Sequence, residues 1–192
     1  MTSLQDTIQR MIAQPMEPPV TPVMATDNRV EYELRTLAQH GYRLTEENGK
    51  VVAEAVRAML SGLGVLLYGS PGVGKTWLCE LMHPWVGRIY TAQSICEWGI
   101  QRIHEWYRYT DGRNVVIDDL GAEGVTAEYG AKSDLMREVI AHRSDQQAGR
   151  TSLTCNCDPA ALATRYQART VSRIAGMTMA FRFSGESMRR VR

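Results

Sequence analysis

Apolar and polar positions change their period along the chain, and the changes divide it. Leu4, Ile8, Met11 and Ile12 recur at helical spacing, which predicts a short amphipathic helix. Pro15, Pro18, Pro19 and Pro22 then forbid regular structure and predict a stiff linker. Helical periodicity returns from Arg29 to about His40, closed by Gly41. It returns again from about Thr45 to Leu60, with Val52, Val56, Met59 and Leu60 on the apolar side and Gly62 past the end. From Gly64 onward short apolar runs alternate with longer periodic stretches. Strands are expected at Val65–Tyr68, Arg88–Thr91, Asn114–Asp118, Thr151–Cys155 and Met177–Phe183. Helices are expected at Lys75–His83, Ser94–Tyr109, Ala131–Gln147 and Pro159–Arg165. Such alternation predicts an α/β protein: a five-stranded, mainly parallel sheet covered by helices on both faces, in three layers.

Composition narrows the class without naming a function. A chain of 192 residues, 44% hydrophobic and 22% charged, fits one soluble globular domain with a short appendage. No apolar run approaches bilayer-spanning length, so no membrane partner is expected. The N-terminus lacks the apolar stretch of a signal peptide, so a cytoplasmic location is expected. Cys79, Cys96, Cys155 and Cys157 show no C-x-x-C spacing, and neither His83 nor His104 completes a zinc pattern, so reduced thiols are expected. The net charge of +1 announces no nucleic acid. Locally the balance differs. Arg165, Arg169, Arg173, Arg182, Arg189, Arg190 and Arg192 face a single acid, Glu186, over the last thirty residues. Arginine also outnumbers lysine, which favours planar contacts to phosphate.

The sharpest chemical signal lies at Leu66-Leu67-Tyr68-Gly69-Ser70-Pro71-Gly72-Val73-Gly74-Lys75-Thr76, a full G-x-x-x-x-G-K-[ST] match between a predicted strand and helix. Its glycines let successive backbone N–H groups turn onto phosphate oxygens at a helix N-terminus. Lys75 adds charge at the β and γ phosphates, and the Thr76 hydroxyl is placed to ligate Mg²⁺. The expected nucleotide-binding segment is Gly69, Ser70, Pro71, Gly72, Val73, Gly74, Lys75, Thr76 and Trp77. Further on, Asn114-Val115-Val116-Ile117-Asp118-Asp119-Leu120-Gly121 is an apolar strand ending in paired acids. Asp118 is expected to hold Mg²⁺ through its water shell, and Asp119 to orient or deprotonate the attacking water. Glu123 stands as a rival base.

The segment Thr154-Cys155-Asn156-Cys157 closes another expected strand. A neutral amide there can donate and accept, so Asn156 is the expected functional residue beside the γ phosphate. Its cysteines point to the opposite faces and are expected to be small core residues, since two further metal ligands are missing.

Together these residues resemble the AAA+ ATPases, and within them the DnaC-type helicase loaders and IstB-type transposition ATPases. Gly69–Thr76, Val116–Glu123, Tyr129-Gly130, Thr154–Asn156 and Leu162–Ile174 carry the resemblance, over roughly Arg43 to Arg190. It implies an AAA+ core over residues 63–192, behind a helical extension (26–62) and an N-terminal arm (1–25). No separate helical lid domain is expected, so a sensor 2 arginine would come from Ser187-Met188-Arg189-Arg190. By the same resemblance Asn156 corresponds to sensor 1. Arg173 corresponds to an arginine finger offered to a neighbouring subunit, with Arg169 in reserve. A solvated helix residue, or a contact to acids of its own subunit, is the alternative for Arg173. ATP and Mg²⁺ are the implied cofactors, and ATP hydrolysis the implied activity. The implied partners are a replicative helicase, single-stranded DNA, and further copies of the chain in an ATP-dependent ring or spiral. Trp98 and Trp106 align with Ile95 and Ile103 as core residues, which leaves Arg102, Tyr107, Arg108 and Arg113 as the DNA candidates. A transposition regulator would share the whole core, a small nucleotide kinase would need a second phosphate acceptor, and an ATP-gated binding module would turn over little.

Overall fold

The computed structural model describes residues 24–98, 100–123, 130–146 and 149–189. The segments expected to form the N-terminal amphipathic helix and the proline-rich linker, with Tyr129, Gln147, Arg190 and Arg192, lie outside them. In chain order the elements are α1 (Asp27–Gln39), α2 (Gly49–Leu60), β1 (Gly64–Gly69), α3 (Lys75–Leu81), α4 (His83–Val86), β2 (Arg88–Thr91) and α5 (Ala92–Glu97). After them come α6 (Ile100–Thr110), β3 (Val115–Leu120), α7 (Gly130–Asp145), β4 (Thr151–Cys155), α8 (Pro159–Met177) and β5 (Thr178–Phe183).

The strands form one sheet in the order β2-β3-β4-β1-β5, and every pairing is parallel. β1 is flanked by β4 and β5, and Gly64 to Tyr68 are all buried. A strand covered on both faces can be apolar at every position, as Val65-Leu66-Leu67 is. Two cores follow from the two faces. On one, Leu66, Ile117, Leu153 and Cys155 meet Ile95, Trp106, Val139, Leu162 and Ile174 from α5 to α8. On the other, Val65, Leu67, Val116 and Phe181 meet Val30, Leu37, Val52, Val56, Leu78 and Val86 from α1 to α4. Helices α1 and α2 therefore share their core with the sheet.

Four helices differ most from those expected, each for a local reason. The helix expected from Thr45 begins at Gly49, because Thr45 and Asn48 exchange side-chain hydrogen bonds with each other's backbone N–H in a turn. The helix expected to reach His83 ends at Leu81, and Pro84 opens the separate α4. The single helix expected over Ser94–Tyr109 is two, because Trp98 is extended (φ −75°, ψ 140°) and packs edge-on against Tyr90. The helix expected to stop at Arg165 runs on to Met177, turning at Gln167 (φ 67°, ψ 156°).

At the end of the sheet where strands begin, Arg143 of α7 is almost wholly buried. Its guanidinium donates to Thr151 Oγ1 (2.9 Å), the Thr110 carbonyl (2.9 Å) and the Arg113 carbonyl (2.8 Å). Burial lowers its pKa to about 10, against the pull of Asp111, so it stays charged at neutral pH. It joins the entries of β3 and β4 to the end of α6. Arg143→Ala would take this donor from the Thr151 hydroxyl and the Arg113 carbonyl in a protein interior and open a cavity. An unfolding free energy lower by about 3–5 kcal/mol is expected in denaturant titration. Arg143→Lys should recover only part of it, because one ammonium cannot span the fork.

Candidate nucleotide-binding site

The loop Gly69–Thr76 joins the C-terminal end of β1 to α3, beside the ends of β3 and β4. Gly74 caps α3 in the left-handed region (φ 92°), and a Cβ there would lie 2.6 Å from Met188 Sδ. At Gly69 (φ 137°) a Cβ would lie 2.0 Å from the Phe183 carbonyl oxygen. Only glycine lets the loop turn this close to its neighbours. Lys75 is buried, and its Nζ donates to the carbonyls of Gly69 (2.9 Å) and Ser70 (2.8 Å) and to Asn156 Oδ1 (2.8 Å). Burial pulls the Lys75 pKa down, while Asp119 and Asp118 push it up and Arg189 adds to the lowering.

The two acids reach the site by different means. Asp118 is buried, and its Oδ1 accepts from Thr76 Oγ1 (2.8 Å) and from Thr154 Oγ1 (2.5 Å). Simple alternation would send Asp119 to the other face of the sheet. Instead Ile117 pairs with Leu153 and Leu120 with Cys155, so β3 carries one extra residue against β4. That bulge is accommodated by Asp119 in the left-handed region (φ 54°), a conformation aspartate tolerates better than most residues. The Asp119 N–H donates to Thr154 Oγ1 (3.0 Å), and its Oδ1 accepts from Asn156 Nδ2 (2.8 Å). A chain of hydrogen bonds thus runs from Lys75 through Asn156 to Asp119, and a second from Thr76 through Asp118 to Thr154.

Lys75, Thr76, Asp119 and Asn156 line a cavity of about 310 Å³ with Gly72, Gly74, Trp77, Glu80, Met188 and Arg189. Glu123, the rival base, is fully buried away from it. Its Oε2 accepts from the Gly121 N–H (3.0 Å), Arg165 lies 3.6 Å from its Oε1, and Arg165 donates to its carbonyl. Burial raises its pKa against the opposing pull of Arg165. Arg173 is also engaged within the chain: its Nη2 donates to Asp145 Oδ2 of α7 at 2.6 Å. Arg169 is exposed and makes no ion pair among the described residues.

Several participants escaped sequence reading. Thr154, seen only as part of a motif, orients both acids. The segment after β5 lies across the phosphate loop, with the Met188 N–H donating to the Gly72 carbonyl (2.8 Å) and Arg43 to the Ser187 carbonyl (2.5 Å). Tyr42 is buried against Trp77 at 5.4 Å between ring centroids. Sequence offered a hydroxyl beside Asn156 and arginines near the C-terminus, but no sign of what they touch.

The DNA candidates occupy another face. Arg102 lies over Trp98 (5.0 Å), Arg113 over Tyr109 (4.6 Å) and Arg88 over Tyr90 (5.7 Å). Cavities of about 400 and 510 Å³ share Arg88, Tyr90 and Tyr109 along the open edge of β2. Arg108 is exposed. Tyr107, by contrast, stacks on His142 (3.8 Å, 15°), whose ring bonds Asp111 (2.9 Å). Its ring is thus engaged within the chain, whereas Tyr109 is half exposed.

The chain is similar to a crystal structure of the DnaC helicase loader, at 20% identity and a TM-score of 0.51, over 85% of this chain and 93% of that one. A crystal structure of DnaI aligns at 21% identity and a TM-score of 0.49, over 92% of this chain and 94% of that one. The replication initiator DnaA, solved bound to AMPPCP and single-stranded DNA, aligns at 16% identity and a TM-score of 0.54, over 77% of this chain and 49% of that one. This chain shares the fold of the DnaC helicase loader structure. No protein-family model and no curated protein matches it. In that fold the glycine-rich loop follows β1, the fourth strand in spatial order. Among the described residues no group of three or more His, Cys, Asp or Glu side chains could hold a metal ion by itself, and no helix is long and apolar enough to cross a membrane.

Thr154 gives a direct test of how the two acids are positioned. Thr154→Val keeps shape but removes the donor to Asp118 and the acceptor of the Asp119 N–H. Stability should fall by about 1–3 kcal/mol in thermal or denaturant unfolding, and Thr154→Ser should restore most of it.

Proposed function

We propose that this protein binds and hydrolyses ATP with Mg²⁺ and acts on DNA as a loader of a replicative helicase. The observation that carries the ATPase reading is the convergence of Lys75, Thr76, Asp118, Asp119 and Asn156 from three strand ends into one bonded cluster. The donor set fits the group: a hydroxyl and a carboxylate 2.8 Å apart beneath a phosphate loop suit an oxygen-seeking cation. Mg²⁺ held by Thr76 and Asp118 would neutralise charge on the phosphates.

The chain's own residues supply the rest. Backbone N–H groups of Gly72 to Thr76 cradle the phosphates at the start of α3. Lys75 exchanges its loop carbonyls for phosphate oxygens without leaving its pocket. Asp119, held by Asn156 and by the Thr154 hydroxyl, orients the attacking water and takes its proton. Asn156 keeps its amide between Asp119 and the γ phosphate. Arg189, at the cavity wall, adds positive charge from the same chain. Arg173 serves as the finger for a neighbouring subunit once its pair with Asp145 opens, with Arg169 on the same helix as the alternative. Glu123 is structural, because Arg165 and the Gly121 N–H already hold it.

Lys75→Ala should abolish ATP binding in calorimetry. Asp119→Asn should leave affinity within a few-fold and remove turnover, whereas Glu123→Gln should lose stability but retain hydrolysis. Full hydrolysis by Asp119→Asn together with loss in Glu123→Gln would reverse the base assignment.

The helicase-loader and DNA readings draw support from the fold and from the β2 edge, where three arginines each lie over an aromatic ring. Single-stranded nucleic acid is bound by this combination of backbone charge and base stacking. Copies of the chain are proposed to assemble with ATP into a ring or spiral, in the cytoplasm. Sedimentation should show larger species with a non-hydrolysable ATP analogue plus single-stranded DNA than with either alone. Arg102→Ala with Arg113→Ala should weaken DNA binding and flatten its salt dependence by roughly 0.7 per lost phosphate contact. A monomer under all conditions would rule out the assembly.

A further inference from the structure

We propose that Cys155 and Cys157 are a thiol-modification site, a dithiol that a low-molecular-weight disulfide oxidises to an intramolecular disulfide, displacing Asn156. The consequence for hydrolysis rests on the ATPase reading above; the chemistry of the pair does not.

The two sulfurs lie 2.8 Å apart at the end of β4. Cys155 Sγ also lies 3.3 Å from the Cys157 carbonyl oxygen and accepts from the Cys157 N–H (3.2 Å), so the turn holds the pair face to face. Their exposures differ in the way exchange requires. Cys155 is fully buried, whereas Cys157 is partly open to solvent. The Cys157 thiol is lowered to about 7, chiefly by the Cys155 hydrogen bond and with help from Arg165, while hydrogen bonding to Cys157 and burial raise Cys155. A partly exposed thiolate beside an arginine is the kind that reacts, and a buried thiol against it is the kind that resolves. Cys79 and Cys96 are buried and separate from this pair.

The exchange is balanced. The Cys157 thiolate attacks one sulfur of oxidised glutathione, breaking its S–S bond and releasing one glutathione thiolate. Cys155 then loses its proton to water and attacks the Cys157 sulfur, releasing the second glutathione. Two protein thiols become one disulfide, and one oxidised glutathione becomes two reduced ones.

Asn156 lies between the partners. Closing the sulfurs from 2.8 Å to a covalent bond of about 2 Å with a dihedral near 90° forms a ring through its backbone. Its amide now bridges Lys75 Nζ and Asp119 Oδ1, each at 2.8 Å, with no slack for a new backbone direction. The oxidised form loses that bridge, while the phosphate loop stays intact.

The experiment equilibrates the full chain with reduced and oxidised glutathione mixtures, then traps thiols and digests with trypsin. Cleavage after Arg150 and Arg165 isolates Thr151–Arg165, which carries both cysteines. The expected product is that peptide lighter by two hydrogens, with Cys79 and Cys96 still alkylated. Cys155→Ser should instead stop at a glutathione adduct on Cys157, and Cys157→Ser should stay unmodified. On the same samples, oxidation of wild type should lower ATP turnover at least tenfold with affinity within about threefold, reversed by dithiothreitol. The double Cys155→Ala, Cys157→Ala variant should ignore glutathione. A wild type that accumulates only the adduct, or stays fully reduced under strongly oxidising mixtures, overturns the site. A disulfide formed with turnover unchanged overturns the link to Asn156. If the reduced protein hydrolyses no ATP, the ATPase reading falls, and the peptide masses alone decide the dithiol.

Discussion

Asp118 sits inside the protein with two hydroxyls on one carboxyl oxygen, Thr76 from the helix after the phosphate loop and Thr154 from the neighbouring strand. A polar group at this depth is costly unless it is hydrogen-bonded. The need to satisfy it ties α3, β3 and β4 together at one point. Thr154 answers Asp118 with its proton and the Asp119 N–H with its oxygen, so one side chain sets the positions of both acids. The rest of the site hangs on that arrangement. With Asp119 held, Asn156 can bridge it to Lys75, and the lysine is held in turn by carbonyls of its own loop.

The bulge in β3 lets a strand deliver two consecutive acids to one end of the sheet. Regular pleating would present one of them to the helical layer. The extra residue, placed in a left-handed conformation, turns the second acid into the cavity and leaves the first in the interior. Their environments then separate their chemistry. Asp118 is buried and doubly bonded to hydroxyls; Asp119 lines open space and is bonded by an amide.

The two ends of the sheet divide the work. Strand C-termini gather the polar cluster, while strand N-termini are secured by Arg143 through backbone carbonyls. At the opposite side of the sheet from β5, β2 leaves an open edge lined by arginine–aromatic pairs. That separation puts the bonded polar cluster and the arginine–aromatic edge at different places on one small core. The segment following β5 lies across the phosphate loop, held by the Met188 N–H on the Gly72 carbonyl and by Arg43 on the Ser187 carbonyl.

Local chemistry was legible in the sequence because it is written in consecutive residues. A glycine-rich turn ending in Lys-Thr, an apolar run ending in Asp-Asp and an asparagine closing a strand each depend on near neighbours, and the three come together at one end of the sheet. The alternation of strand and helix was legible for the same reason, since burial on both faces imposes runs such as Val65-Leu66-Leu67. What tertiary structure alone decided concerns partners far apart in the chain. The hydroxyl of Thr154 acquires meaning only when β4 lies beside β3. Glu123 is withdrawn from the cavity because α8 brings Arg165 to it, and Tyr107 is withdrawn because α7 brings His142. Arg173 finds Asp145 where two helices pack. The bulge at Asp119 arises from register between strands, a quantity no single segment contains. Residue types and their spacing specify which groups are available, and the packing of distant elements specifies which of them are left free to act.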